Sequence, residues 1–340
     1  MGNTKIIQFY NKKMTLKRLR YNKSEILSGL VQNDRAILAY AITLAESKNE
    51  FHKSTINEII KELPQNNISF RLGLTGVPGA GKSSVINRLG CLLVENGFNL
   101  AVITIDPSSQ INQGSILADK TRMADLLNYK NVYIRPSASS ESITQSLPEV
   151  ITILESAGYD FIIIETVGVG QAEFEIALIT DMLMYVHLPN AGDEMQGIKK
   201  GLLEWIDIFV LNKIDKIEPS DIEQIFHDFA QIRNFSINEN TEMQCFGVSS
   251  RENIGFGKLA NYLKNEFIEA TNNKTGLQEL RNKKSTFRLE LLLEQKLKNW
   301  LNSHPIYKKE VTKLSLEITN GKINLNDAVN ELYNKILPQK

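Results

Sequence analysis

Eight consecutive residues, Gly76-Val77-Pro78-Gly79-Ala80-Gly81-Lys82-Ser83, match the spacing G-x-x-x-x-G-K-[ST]. They follow a strand-like run, Arg71-Leu72-Gly73-Leu74-Thr75, and open a helix-like one, which is the context a phosphate-binding loop requires. The glycines allow the backbone to curl so that successive N–H groups point at one anion. A helix N-terminus adds favourable partial charge. Lys82 can reach β- and γ-phosphates, and Ser83 can ligate Mg²⁺. Candidate phosphate contacts therefore run through Gly76, Val77, Pro78, Gly79, Ala80, Gly81, Lys82, Ser83 and Ser84.

Acids end two further apolar runs. Asp106 follows Asn99–Ile105, and Glu165 follows Tyr159–Ile164. In a parallel sheet both project toward the rim of the phosphate loop, where a hard octahedral cation is held by one or two carboxylates and by substrate phosphates. Asp106 and Glu165 are thus candidate Mg²⁺ ligands beside Ser83, and Asp119 is a further one. Glu165-Thr166-Val167-Gly168 has the form of a γ-phosphate switch, with the Gly168 N–H as the contact. Lys82, Asp106, Glu165 and Gly168 are the candidate catalytic set.

A base-reading motif lies downstream. Asn212-Lys213-Ile214-Asp215 follows the run Ile206–Leu211. The Asp215 carboxylate can accept from guanine N1–H and the 2-amino group together, which adenine does not offer, and an unpaired buried carboxylate is costly. The pattern selects GTP over ATP. Lys213 can lie along the base and Asn212 can brace the phosphate loop. Val248-Ser249-Ser250 resembles a loop whose backbone N–H contacts guanine O6. Ser249, Ser250 and Arg251 complete the base side.

These residues need a frame. Seven apolar runs (Phe70–Thr75, Asn99–Ile105, Val132–Ile134, Asp160–Glu165, Met182–Leu188, Ile206–Leu211 and Cys245–Val248) alternate with helical stretches. Most are apolar on both faces, as buried parallel strands are. The expected fold is α/β: a three-layer P-loop NTPase fold with a mostly parallel sheet, its site beyond the carboxyl ends of the strands. Three parts are expected within the 340 residues: an N-terminal helical arm over 1–67, a P-loop domain over 68–271 and a C-terminal helical segment over 272–340. Phe287–Leu301 and Leu325–Leu337 read as amphipathic helices within the last part.

Composition narrows the class. Lys plus Arg and Asp plus Glu number 39 each, so net charge argues for neither nucleic acid nor membrane surface. No run approaches the roughly 18 apolar residues of a membrane span. The two cysteines and four histidines form no ligand cluster. The expected compartment is cytoplasmic, with the mitochondrial matrix open for a eukaryotic chain. The Lys- and Arg-rich stretch before Ser24 reads as a solvated arm.

Further signatures carry a family resemblance. Asp106-Pro107-Ser108-Ser109, Gly114 through Met123, Tyr133-Ile134-Arg135-Pro136-Ser137, Glu165 through Gln171 and Gly192 through Gly201 resemble the MeaB/ArgK family, with its human relative MMAA, in order and spacing. The resemblance implies a SIMIBI-class GTPase, binding GTP/GDP and Mg²⁺. It implies a homodimer joined through the C-terminal helices. It also implies a chaperone for a cobalamin-dependent acyl-CoA mutase, usually methylmalonyl-CoA mutase, gating adenosylcobalamin loading and protection. Asp193, Gln196 and Lys199 resemble the family's third switch. The competing readings are a metallochaperone-type GTPase, an ATP-dependent kinase linked to amino-acid transport, and a scaffold that binds GTP without hydrolysing it. The residue that positions the attacking water is not evident, because no Gln directly follows Gly168.

Overall fold

The computed structural model describes residues 19–64, 67–106, 122–138, 141–166, 171–189, 191, 198, 200–234 and 243–336. Seven strands form one sheet: β1 (Phe70–Gly76), β2 (Leu100–Asp106), β3 (Val132–Ala138), β4 (Phe161–Thr166), β5 (Met182–His187), β6 (Ile208–Asn212) and β7 (Gln244–Val248). Their order is β3-β2-β4-β1-β5-β6-β7, and every neighbouring pair is parallel. The expected α/β P-loop frame is therefore present, with its sheet wholly parallel. β3 runs on to Ala138, past the Ile134 end read from its apolar residues. Thr104, Ile105 and Asp106 of β2 continue the ladder against Pro136, Ser137 and Ala138. Arg135, Pro136 and Ser137 interrupt the apolar run, while backbone pairing sustains the strand.

Parallel strands burying both faces must solve their first hydrogen bonds without water. Three aspartates do so by one device. Asp160, Asp181 and Asp207 each stand immediately before a strand (β4, β5 and β6). Their carboxylates accept from the backbone N–H of Asn99, Arg71 and Leu183 on the neighbouring strand's side, at 2.7, 2.8 and 2.8 Å. The backbone N–H of each aspartate donates to the carbonyl of the same residue, at 2.9, 2.7 and 3.0 Å. This two-way clamp fixes where each strand begins. A one-residue slip would break both bonds and turn every side chain to the wrong face.

Helices cover the sheet. α1 (Lys23–Val31), α2 (Arg35–Ala45) and α3 (Glu50–Glu62) begin at Asn22, Asp34 and Asn49, each of which caps its helix by accepting backbone N–H groups. Ile26, Leu30, Leu38, Ile42, Ile56 and Ile59 of these helices join the same core as the sheet. α4 (Lys82–Glu95) follows the phosphate loop, α5 (Glu141–Ser156) precedes β4, and α6 (Gln171–Ile179) precedes β5. Next come a short turn of helix, α7 (Lys200–Leu203), then α8 (Pro219–Asn234) and α9 (Phe256–Asn272) on either side of β7, and finally α10 (Lys274–Ser303), α11 (Tyr307–Thr319) and α12 (Leu325–Ile336). Among the described residues no helix is long and apolar enough to cross a membrane.

The chain divides into two compact units, Met1–Arg281 and Asn282–Lys340. In the first, Arg281 is bonded to the amino end of the sheet. Its guanidinium donates to both Asp181 oxygens at 2.7 and 2.8 Å and to the Ser69 carbonyl at 2.6 Å. Glu155, pushed upward by burial, receives Arg71 at 2.8 Å. In the second, Lys335 pairs with Glu310 and Glu331 at 2.8 and 2.7 Å, and Leu314, Ala328 and Ile336 are buried. Leu289, Leu293, Leu297, Leu316, Leu325, Val329 and Tyr333 are exposed.

Two predictions follow from this packing. Arg281→Met leaves the buried Asp181 carboxylate without its cation and is expected to lower stability by about 3 kcal/mol in urea unfolding. Lys53→Ala, which breaks an exposed pair with Glu50, should stay within about 0.5 kcal/mol. The second concerns His187, which is fully buried against Tyr185 and Phe209 and has no hydrogen-bond partner among the described residues. Burial pushes its imidazole down to about 4. Below its ordinary value near 6.5 the unfolded chain takes up a proton that the fold refuses, so stability falls as pH drops from there to about 4. The loss is expected to reach about 3 kcal/mol, and His187→Phe should remove it from a pH series of denaturation curves.

Candidate nucleotide-binding site

The phosphate loop leaves β1 at Gly76, whose φ is +141°. A Cβ there would stand 2.0 Å from the Val186 carbonyl oxygen of β5, so only glycine permits the strand spacing at this turn. At the other end Gly81, at φ +84°, begins α4 with no side-chain cap. The first N–H groups of that helix are left for an anion.

Lys82 and Ser83 open α4 and are both buried. The ammonium of Lys82 donates to the carbonyls of Gly76 and Val77 at 2.8 and 3.2 Å. Burial pushes its pKa down, while Glu165 and Glu173 push it up. The Ser83 hydroxyl donates to Glu165 Oε1 at 2.9 Å, so the predicted serine and one predicted carboxylate meet directly. Val77 and Ala80 are buried within the loop, whereas Pro78, Gly79 and Ser84 face outward. A cleft of about 420 Å³ opens over Gly79, Lys82, Ser83, Thr104, Arg122 and Glu165.

Two side chains, Asn212 and Lys213, tie the base-side residues to this loop. Asn212 Nδ2 donates to the Ala80 carbonyl at 2.8 Å. Its Oδ1 accepts from the N–H of Lys213 and from the N–H and hydroxyl of Ser250, at 2.9, 3.2 and 3.1 Å. Lys213 holds a left-handed φ of +65° and donates from Nζ to the Gly79 carbonyl at 3.0 Å. The Ser249 hydroxyl donates to Asp215 Oδ1, and this bond is the first cause holding the Asp215 carboxyl below its usual range. Asp215 is thus an exposed anion steadied at one oxygen. Arg251 turns to Glu252 at 3.4 Å and is 81% exposed.

Asp106 ends β2 opposite Ala138. Its side chain, and the predicted Asp119, Gly168, Asp193, Gln196 and Lys199, lie outside the described residues. Four residues that motif reading passed over stand in or beside the cleft. Thr75 donates to Glu173 Oε1 at 2.6 Å, joining β1 to the first turn of α6. Thr104, 3% exposed, and Arg122 line the cleft. Thr75 carries a usable signal, since it directly precedes Gly76, and Glu173 stands two residues past Gln171.

Asn212→Ala frees the Ala80 carbonyl and leaves the Lys213 bond to Gly79 as the remaining tie between the loops. The expected result is a loss of about 2 kcal/mol in stability together with a fall of at least about tenfold in guanine nucleotide affinity, read by calorimetry.

Comparison with known proteins bears on the whole chain. The family model described as Methylmalonyl Co-A mutase-associated GTPase MeaB matches residues 38–305. The GTPase ArgK of Escherichia coli is 33% identical over 322 residues, 93% of this chain and 97% of that protein. The mitochondrial methylmalonic aciduria type A homolog of Mus musculus is 44% identical over 204 residues, 56% of this chain and 49% of that protein. Against two further bacterial relatives the chain spans 62% and 55% of their length. A solved structure described as LAO/AO transport system kinase is similar with a TM-score of 0.76 and 28% identity, over 94% of this chain and 99% of that one. A match that runs through all seven strands and into α10 reaches far beyond a shared motif, and the chain belongs to the MeaB family of methylmalonyl-CoA mutase-associated GTPases.

Proposed function

We propose that the chain binds GTP, hydrolyses it to GDP and inorganic phosphate, and spends the cycle on a cobalamin-dependent acyl-CoA mutase. Methylmalonyl-CoA mutase is the first candidate client, with adenosylcobalamin loading and protection the process that is gated. The observation that carries the nucleotide reading is the Asn212 amide, which joins the phosphate loop to the loop holding Asp215 and Ser249. One ligand must then satisfy both: a guanine at Asp215 and phosphates at the start of α4. The client reading is supported by the family's name and by the similarity to the Mus musculus protein.

Hydrolysis is an in-line displacement. The water oxygen bonds to Pγ, and the bond from Pγ to the β–γ bridging oxygen breaks. Its electron pair stays on GDP, and both protons of the water leave with the phosphate, as dihydrogen phosphate or as hydrogen phosphate and a proton released to solvent. Lys82, released from its carbonyl partners, follows the charge on the β- and γ-oxygens. The Gly81–Ser83 N–H groups hold the phosphates in place. Ser83 and Glu165, a hydroxyl and a carboxylate 2.9 Å apart, form an all-oxygen donor pair that fits Mg²⁺, with Asp106 the proposed further acid. Held there, the ion would supply positive charge that offsets the negative charge of the phosphates. Gly168, Asp193, Gln196 and Lys199 keep their proposed switch roles, Asp119 its proposed role as a metal ligand, and Ser250 and Arg251 border the base.

A homodimer is part of the same proposal. Its support is the run of exposed apolar side chains on Asn282–Lys340, which include Leu293, Leu297 and Tyr333.

GTP turnover of the purified protein, with and without the mutase of the same organism, tests the assignment. Slow basal hydrolysis, strong stimulation by that mutase and indifference to ATP are expected. Failure of the mutase to stimulate would remove the client and leave the GTPase. Asp215→Asn should exchange guanine for xanthine, because the amide can accept from N1–H while donating to the 2-oxo group. The preference for XTP over GTP in competition binding is expected to reach about 100-fold.

A further inference from the structure

We propose that Arg122 is a phosphate-contacting residue of this cleft, supplying from within the chain a second cation to the terminal phosphate. The proposal rests on the GTPase reading and names a group that its motifs do not.

Position is the first observation. Arg122 lines the cleft together with Lys82, Ser83, Thr104 and Glu165, yet comes from a separate stretch of chain that leads into the turn at Leu126–Asn128. That stretch is pinned against α4. Asn87, buried one helical turn beyond Ser83, donates from Nδ2 to Asp125 Oδ2 at 2.8 Å and accepts the Leu126 N–H at 3.2 Å. Met123 and Leu126 are fully buried. The backbone at Arg122 is therefore fixed relative to Lys82 and Ser83, and its long side chain is the part left to move.

Availability is the second. Arg71, Arg135 and Arg281 are committed to carboxylates inside the fold. Arg122 is exposed and makes no hydrogen bond or ion pair with any described residue. The same cleft wall carries the Thr104 hydroxyl, which is buried and has no partner among the described residues. A wall whose guanidinium and hydroxyl have no partner among the described residues suits an anion.

Charge balance is the third. Lys82 faces the Glu165 carboxylate, so part of its charge is already offset within the protein. A γ-phosphate adds negative charge to this confined space. As the Pγ–oxygen bond breaks, that charge grows on the bridging oxygen and spreads over the leaving phosphoryl group. A planar guanidinium offers paired donors matched to such oxygens. It strengthens where charge develops, which is where rate is gained.

The test uses the full chain with Arg122→Ala and Arg122→Lys. GDP affinity, affinity for a non-hydrolysable GTP analogue, single-turnover hydrolysis and thermal midpoint are measured for each. Arg122→Ala should keep GDP affinity and midpoint near wild type, weaken the GTP analogue, and slow hydrolysis by about 100-fold or more. Free guanidinium ion, below denaturing concentrations, should restore part of the alanine variant's rate and leave wild type unchanged. Arg122→Lys should recover analogue binding more than rate. Unchanged hydrolysis in Arg122→Ala overturns the proposal. So does a joint fall of GDP affinity and midpoint with no rescue, since that marks a structural role. A wild-type protein that neither binds nor turns over GTP would instead bring down the function reading itself.

Discussion

The carboxamide of Asn212 is where the two halves of the cleft meet, and its geometry constrains both. It is 1% exposed, so its donor and acceptor must be satisfied inside the protein. The donor is spent on Ala80 in the phosphate loop, and the acceptor on Lys213 and Ser250 in the base loops. Gly81 is glycine partly for this reason, since a Cβ there would stand 2.7 Å from Asn212 Nδ2. One side chain thereby sets how close a base can lie to a triphosphate tail. Replacing it with a larger group would push the loops apart, and a smaller group would leave a buried carbonyl unpaired.

That amide can do its work only if β6 ends level with β1, and the sheet's far edge decides this. The clamps at Asp160, Asp181 and Asp207 fix strand starts at the amino end. Strands of five to seven residues then deliver Gly76, Asp106, Thr166, His187 and Asn212 to one rim. Register is transmitted as length: a clamp at one end becomes a coordinate for the site at the other. Arg281 extends the same clamp to α10 through Asp181, so the carboxylate that sets β5 also holds the root of a long helix.

Much of this was legible in the sequence, for a physical reason. Strands such as Phe161–Thr166 are buried at every position, and a continuous apolar run leaves few alternatives. The loop from Gly76 to Ser83 is legible because its chemistry needs particular residue types at fixed spacing. What stayed hidden depends on distance in space. The full length of β3 is carried by backbone pairing beyond its apolar residues, so hydropathy stops at Ile134 while the strand continues to Ala138. Thr75 meets Glu173, and Asn87 meets Asp125, across 98 and 38 residues of chain. No periodicity encodes such pairs, because each partner alone looks like an ordinary polar residue. The three aspartates show a middle case. Each is one acid placed directly before an apolar run, a pattern that has meaning once the neighbouring strand is known.

Lys82 shows how the loop accommodates a buried basic side chain. A buried ammonium must be compensated, or burial would drive off its proton. Here the Gly76 and Val77 carbonyls take its donors, and Glu165 and Glu173 supply opposing charge. These partners oppose the effect of burial on the lysine at the place where phosphate is to be met. Binding then becomes an exchange of two neutral carbonyls for phosphate oxygens at a side chain that is already buried. The two carboxylates limit that gain, because the repulsion they exert on an incoming anion grows with its charge. A diphosphate and a triphosphate therefore meet the same lysine under different net fields. The difference between them falls to whatever other groups meet the added charge.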